Sequence, residues 1–334
     1  MRRMLLPLLV CYFVAAAQGQ SPDADLAAAH TLISQGRLDD AIARLSSLRQ
    51  KVPSRPEIGR ELGVAYYRKG DFLHAATLLQ EAFSLRPEDA DVAQLLGLAY
   101  FLSGRPAAAI APLERLRASD PQANVDAAYV LSLCYLLNRE FDKSRSAFAS
   151  LYGVPPDSAA AHVILAAMLV RQGLDPIAEQ EAKAALLLNA NIPRGHFVLG
   201  EVAMYRAEYE KALGEFRDEI RINPAFAPAH TRAADAEFHL GRFAEAEAES
   251  ERSMWLDSTT NEPQLVLAKT LLSQGRNEQA KRAALRALAL DANSYTAHFL
   301  LGQAYRQLGN MEMANREFKL AAQIQEAQAK SLPR

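Results

Sequence analysis

Cysteine is almost absent from this chain. Cys11 lies in an apolar leader, so Cys134 stands alone once the leader is removed, and no internal disulfide can form. Cys134 takes the place that Ala99 holds one unit earlier, which reads as a small core filler and not as a reactive thiol. Charge of one sign is missing as well. With 37 Lys and Arg against 39 Asp and Glu the formal net charge is −2, which leaves no field to draw nucleic acid or an anionic membrane. Beyond the leader no segment is apolar enough to cross a bilayer. The signatures of chemistry are missing too: no zincin helix, no phosphate loop ending in glycine and lysine, no nucleophile elbow and no cysteine pair at metal spacing. No catalytic residue, cofactor site or metal site is therefore expected, and the chain is not expected to be an enzyme.

What the chain has in abundance is a period. Small residues return about every 34 positions at Ala29, Gly63, Gly97, Ser132, Ala166, Gly200, Ala234, Ala268 and Gly302, with one inserted residue before Ser132. Twelve residues after each comes a second small residue: Ala41, Ala75, Ala109, Ser144, Ala178, Ala212, Ala246, Ala280 and Ala314. The fifteenth place of a unit is glycine in seven of nine copies, with Arg139 and Ala207 as the exceptions. The spacing predicts a first helix (A) ending at that glycine in a left-handed cap, then a second helix (B) closed by a proline such as Pro53, Pro87, Pro121, Pro156 or Pro224. The two small residues are read as matching spots that let the helices of one hairpin approach. One hairpin cannot bury its own apolar face, so neighbours must stack and the domain count reduces to one solenoid.

A run such as Glu61, Leu62, Gly63, Val64, Ala65 and Tyr66, then Gly70, Phe72, Ala75, Leu79, Ala82 and Pro87, resembles a tetratricopeptide repeat. The resemblance covers nine units: 22–55, 56–89, 90–123, 125–158, 159–192, 193–226, 227–260, 261–294 and 295–328, with a tail at 329–334. It implies an all-α fold, a right-handed superhelical solenoid of antiparallel helix pairs. Repeats 5 and 8 depart by carrying Ala182 and Ala284 at the twenty-fourth place, where the family has a large residue. Repeat 7 departs most, with Glu237, Ser250 and Ser253 at apolar or small places. Unpaired buried carboxylates are costly, so Glu219 and these three are expected to be partly solvated and the layer loose or rotated.

Residues 1–19 read as a secretory signal peptide, with Arg2 and Arg3 before the apolar run Met4–Ala17 and small residues at Ala17 and Gly19. The mature chain is then exported, periplasmic or extracellular, with no membrane insertion after cleavage. His162, His196, His230 and His298 all hold the fourth place of their units, which faces the partner helix, so they are read as packing residues and not as a metal stripe.

In proteins that resemble this one, helix A lines the concave side and offers its second, fifth, ninth and twelfth places. Read here, those places give a candidate peptide groove of Tyr67, Leu98, Phe101, Tyr129, Leu133, Leu136, Val170, Phe197 and Met204, turning polar at Asp235, Lys269, Gln303 and Arg306. The lysine and asparagine set with which the family clamps a terminal carboxylate is missing. The expected partner is a protein or peptide, not a nucleic acid. Two functions compete: a non-catalytic scaffold of the bacterial envelope, and a regulatory or substrate-presenting subunit of an envelope enzyme complex in secretion, polysaccharide export or outer-membrane assembly.

Overall fold

A computed structural model describes residues 21–53, 55–119 and 125–331; the leader with Cys11, and Pro121, lie outside them. All regular structure among the described residues is α-helical. The chain divides into two compact units, one ending at Arg139 and one beginning at Glu140. The first unit contains α1 (Pro22–Ser34), α2 (Leu38–Lys51), α3 (Pro56–Lys69), α4 (Phe72–Leu85), α5 (Ala90–Leu102), α6 (Pro106–Ser119) and α7 (Val125–Leu137). The second contains α8 (Phe141–Leu151), α9 (Ala159–Arg171), α10 (Asp175–Leu188), α11 (Gly195–Tyr205), α12 (Tyr209–Ile222), α13 (Ala227–His239), α14 (Phe243–Leu256), α15 (Glu262–Ser273), α16 (Asn277–Leu290), α17 (Tyr295–Gln307) and α18 (Met311–Ser331). Helix α18 takes in the first three residues of the expected tail.

Odd-numbered helices are A and even-numbered ones B. Within each unit every helix packs on the next, and A helices also touch the next A helix, as α3 does α5 and α13 does α15. The A row is therefore the inner wall of each unit. The turn from A to B is made in the left-handed region, with φ from +67° at Gly173 to +84° at Gly70. Arg139 (φ +61°) and Ala207 (φ +57°) adopt it too, so the two exceptions keep the turn at a steric cost that glycine avoids.

The small residue at the eighth place works differently from the sequence expectation. A Cβ built on Gly63 would meet Leu79 at 2.7 Å, on Gly97 Leu113 at 2.4 Å, on Gly200 Phe216 at 2.4 Å and on Gly302 Phe318 at 2.6 Å. Its partner is thus the side chain at the twenty-fourth place, not the alanine at the twentieth, and glycine makes room for a large group. This explains repeats 5 and 8, where alanine at the eighth place (Ala166, Ala268) goes with alanine at the twenty-fourth (Ala182, Ala284), all four fully buried. The alanines at the twentieth place, such as Ala75 and Ala212, are fully buried in their own right. Cys134 is fully buried too, and burial pushes its thiol up to about 12, the setting of an inert core residue.

Repeat 7 and its junction corrects a second expectation. Glu219, Glu237, Ser250 and Ser253 are all buried, none above 2% exposed, because the chain supplies partners for almost every polar atom. Glu219 takes the backbone N–H of Arg194 at 2.7 Å and of Phe197 at 3.3 Å, so a carboxylate meets the positive end of α11. Ser253 donates to the Ala227 carbonyl at 2.9 Å and shares a 2.7 Å bond with Thr231, while Ser250 donates to the Ala246 carbonyl at 2.7 Å. Of these four side chains only Glu237 leaves a buried oxygen, Oε2, without a hydrogen-bond partner among the described residues.

Candidate functional site

In the first unit the A row presents Tyr67, Leu98, Phe101, Tyr129 and Leu133 half-buried on its wall. Leu136, assigned to the groove from its place in the repeat, is fully buried and belongs to the core. Tyr67 lies edge-on to Phe72 with ring centroids 5.5 Å apart, and burial raises its hydroxyl pKa, so part of its surface is already used for packing. Beside these residues, α1, α3 and α5 enclose a cleft of about 350 Å3. Much of its polar lining is paired: His30 lies 3.2 Å from Glu61, Arg60 donates to Asp91 at 3.2 Å, and Arg68 donates to the Ile33 carbonyl at 3.3 Å.

In the second unit Val170, Phe197 and Met204 are also half-buried. Val170 packs with Ala166, Ala182 and Val198, while Phe197 and Met204 lean on a cluster around Leu213 and Phe216. The Phe197 ring stands 5.7 Å from that of Phe216 and 5.1 Å from that of Phe226. Next along the wall runs a ladder of ion pairs between successive A helices. Arg232 of α13 meets Glu201 of α11 at 2.8 Å, and Lys269 of α15 bonds Asp235 of α13 while lying 4.5 Å from the centroid of Phe238. Burial raises the pKa of Glu201 above the usual carboxylate value; Arg232 opposes this, and the nearby charges of Glu262 and Asp235 add to it. The repeat places alone mark Asp235 and Lys269 as a polar end and do not reveal either pairing. Their separations of 31 and 34 residues, about one repeat, were the signal that they pair across neighbouring helices.

The four histidines of the fourth place each meet a carboxylate nineteen residues on, in the B helix of the same hairpin. His162–Glu181, His196–Glu215, His230–Glu249 and His298–Glu317 join Nδ1 to carboxylate oxygen at 2.6, 2.7, 2.6 and 2.6 Å. The fourth place thus faces the partner helix, and each ring clasps its own hairpin. Among the described residues no three or more His, Cys, Asp or Glu side chains converge as metal ligands would.

The sequence profile of the tetratricopeptide-repeat family matches residues 26–82, 60–124, 95–153, 197–254 and 265–329. The chain belongs to that family. No curated protein matches it in sequence. Similar solved structures include PilF of Pseudomonas aeruginosa, at 18% identity and TM-score 0.48 over 62% of this chain and 97% of that one. MamA of Desulfovibrio magneticus RS-1 aligns at 17% identity and TM-score 0.46 over 52% of this chain and 97% of that one. A chain of the Cut9–Hcn1 hetero-tetramer of APC/C aligns at 18% identity and TM-score 0.47 over 85% of this chain, which covers 56% of that chain's length. The tetratricopeptide fold commonly mediates protein–protein interaction and peptide binding.

Proposed function

We propose that the chain is a non-catalytic scaffold of the bacterial envelope that holds an extended or helical segment of a partner protein against its A-helix wall. The observation that carries this reading is the row of large apolar side chains left half-buried there, Tyr67, Leu98, Phe101, Tyr129 and Leu133 in one unit and Val170, Phe197 and Met204 in the other. Their surface is packed on one flank and open on the other, as rigid anchors for a docked segment are. The short apolar leader behind Arg2 and Arg3 supports export, and mass spectrometry of the native protein tests that part: a mature N-terminus near Gln20 is expected, and an intact Met1 on a cytoplasmic protein contradicts it.

The groove itself is tested by Phe101→Ala combined with Tyr129→Ala. If these are hot spots, each truncation weakens capture of the partner from envelope extracts by about 2 kcal/mol or more, with little dependence on salt. A folded double variant that binds at wild-type affinity moves the site off this wall.

A further inference from the structure

Repeat 7 buries His230 and Glu237 in one packed layer, and their geometry has a sign. His230 is 5% exposed, and both of its ring nitrogens face acceptors: Nδ1 lies 2.6 Å from Oε2 of Glu249 and Nε2 lies 3.1 Å from the Pro224 carbonyl. A neutral imidazole carries one N–H, so it can satisfy only one of these; the charged ring donates to both. The ring thereby ties α13 to α14 and to the turn that follows α12. Its surroundings in α14 are Glu249, which favours the charge, and Arg252, which opposes it.

Glu237 lies on the same helix, 2% exposed, where Tyr66, Tyr100 and Tyr305 stand in other repeats. Its Oε1 accepts from Arg217 of α12 at 3.0 Å, and its Oε2 has no partner among the described residues. Glu249 and Glu245 of α14 add like charge nearby. From α11 and α15, Glu201 and Lys269 are held by Arg232 and Asp235 of α13, and Glu262 of α15 adds like charge near Glu201.

We propose that repeat 7 is a pH-responsive layer, clasped in mild acid by a doubly donating His230 and loosened as the pH rises and that ring gives up its proton, with the buried Glu237 carboxyl acting in the same direction. Burial works against the charged His230, but the Glu249 carboxylate and the Pro224 carbonyl together outweigh it and raise the ring's pKa above 6.5. A raised folded value means the folded layer holds the proton more tightly than the unfolded chain does. The stabilisation is therefore complete below the unfolded value and lost as pH rises through the folded one. For Glu237, burial and then Glu249 raise the pKa above 4.5 against the pull of Arg217, so its ionisation on the way to neutral pH also costs the folded layer.

Hydrogen exchange of the full chain at about pH 5.5 and about pH 8, corrected for intrinsic rates, tests this. Residues 226–256 should lose protection toward pH 8 on the order of tenfold relative to repeat 8 of the same unit. In the double variant His230→Gln/Glu237→Gln that pH dependence should vanish, and in His230→Gln alone it should shrink to the part carried by Glu237. Should this variant fail to fold, Glu237→Gln serves: it removes the buried charge and should keep repeat 7 more protected than wild type at the higher pH. His298→Gln, in the equivalent place of repeat 9, should leave the response of repeat 7 intact. A wild-type layer whose protection follows repeat 8 at both pH values overturns the proposal, as does a pH response that survives undiminished in the double variant His230→Gln/Glu237→Gln.

Discussion

Repeats 3 and 7 share one backbone plan and fill it in opposite ways. In repeat 3, Gly97 opens a socket for Leu113 and the buried Tyr100 reaches back to bond Gln80 of the preceding B helix at 2.9 Å. In repeat 7 the same places hold Ala234 with Ser250, and Glu237 reaches back to Arg217 of the preceding B helix. Both form complete hairpins with a left-handed glycine at the turn, Gly104 at φ +75° and Gly241 at φ +74°. Backbone geometry therefore follows from the turn and the small residues. The side chains that fill each layer vary on that shared plan.

The largest effect that can break this comparison is removal of the socket's occupant. Leu113→Ala in repeat 3 and Phe216→Ala in repeat 6 should each cost about 3 kcal/mol in denaturant unfolding, because a fully packed side chain leaves a cavity. Next comes the socket itself. Gly97→Ala should cost about 2 kcal/mol, since the new Cβ would sit 2.4 Å from Leu113. The double variant Gly97→Ala/Leu113→Ala recreates the Ala166–Ala182 pairing and should be less destabilised than the sum of the singles; strict additivity contradicts the volume exchange. In repeat 7, Glu237→Leu should stabilise by about 1 kcal/mol at neutral pH, because it removes a buried carboxylate and leaves Arg217 in solvent. The smallest expected effect is at the turns that lack glycine, where Ala207→Gly relieves the left-handed strain and should gain up to about 1 kcal/mol.

The places a residue takes in the repeat were legible in the sequence because each obeys one local rule: Gly70 must turn, Ala75 must be small, His162 must face helix B. What was not legible depends on pairs. That Gly63 opposes Leu79 and not Ala75 is a matter of side-chain direction, which spacing alone does not fix. Glu219 looked costly because its partners, the N–H groups of Arg194 and Phe197, are backbone atoms with no residue-type signature. Leu136 holds the same repeat position as Tyr67 and Phe101 yet is fully enclosed while they are half-open, so position in the repeat predicts a facing and not an exposure.

The role of the A row is tested most directly by site-specific photo-crosslinking of the full chain in its native cells. A crosslinker placed at Leu98 or at Met204, on the A wall of either unit, should trap the same partner, whereas one at Trp255 of a B helix, 74% exposed, should not. Crosslinks from Trp255 with none from Leu98 or Met204 would contradict the account and assign recognition to the outer row.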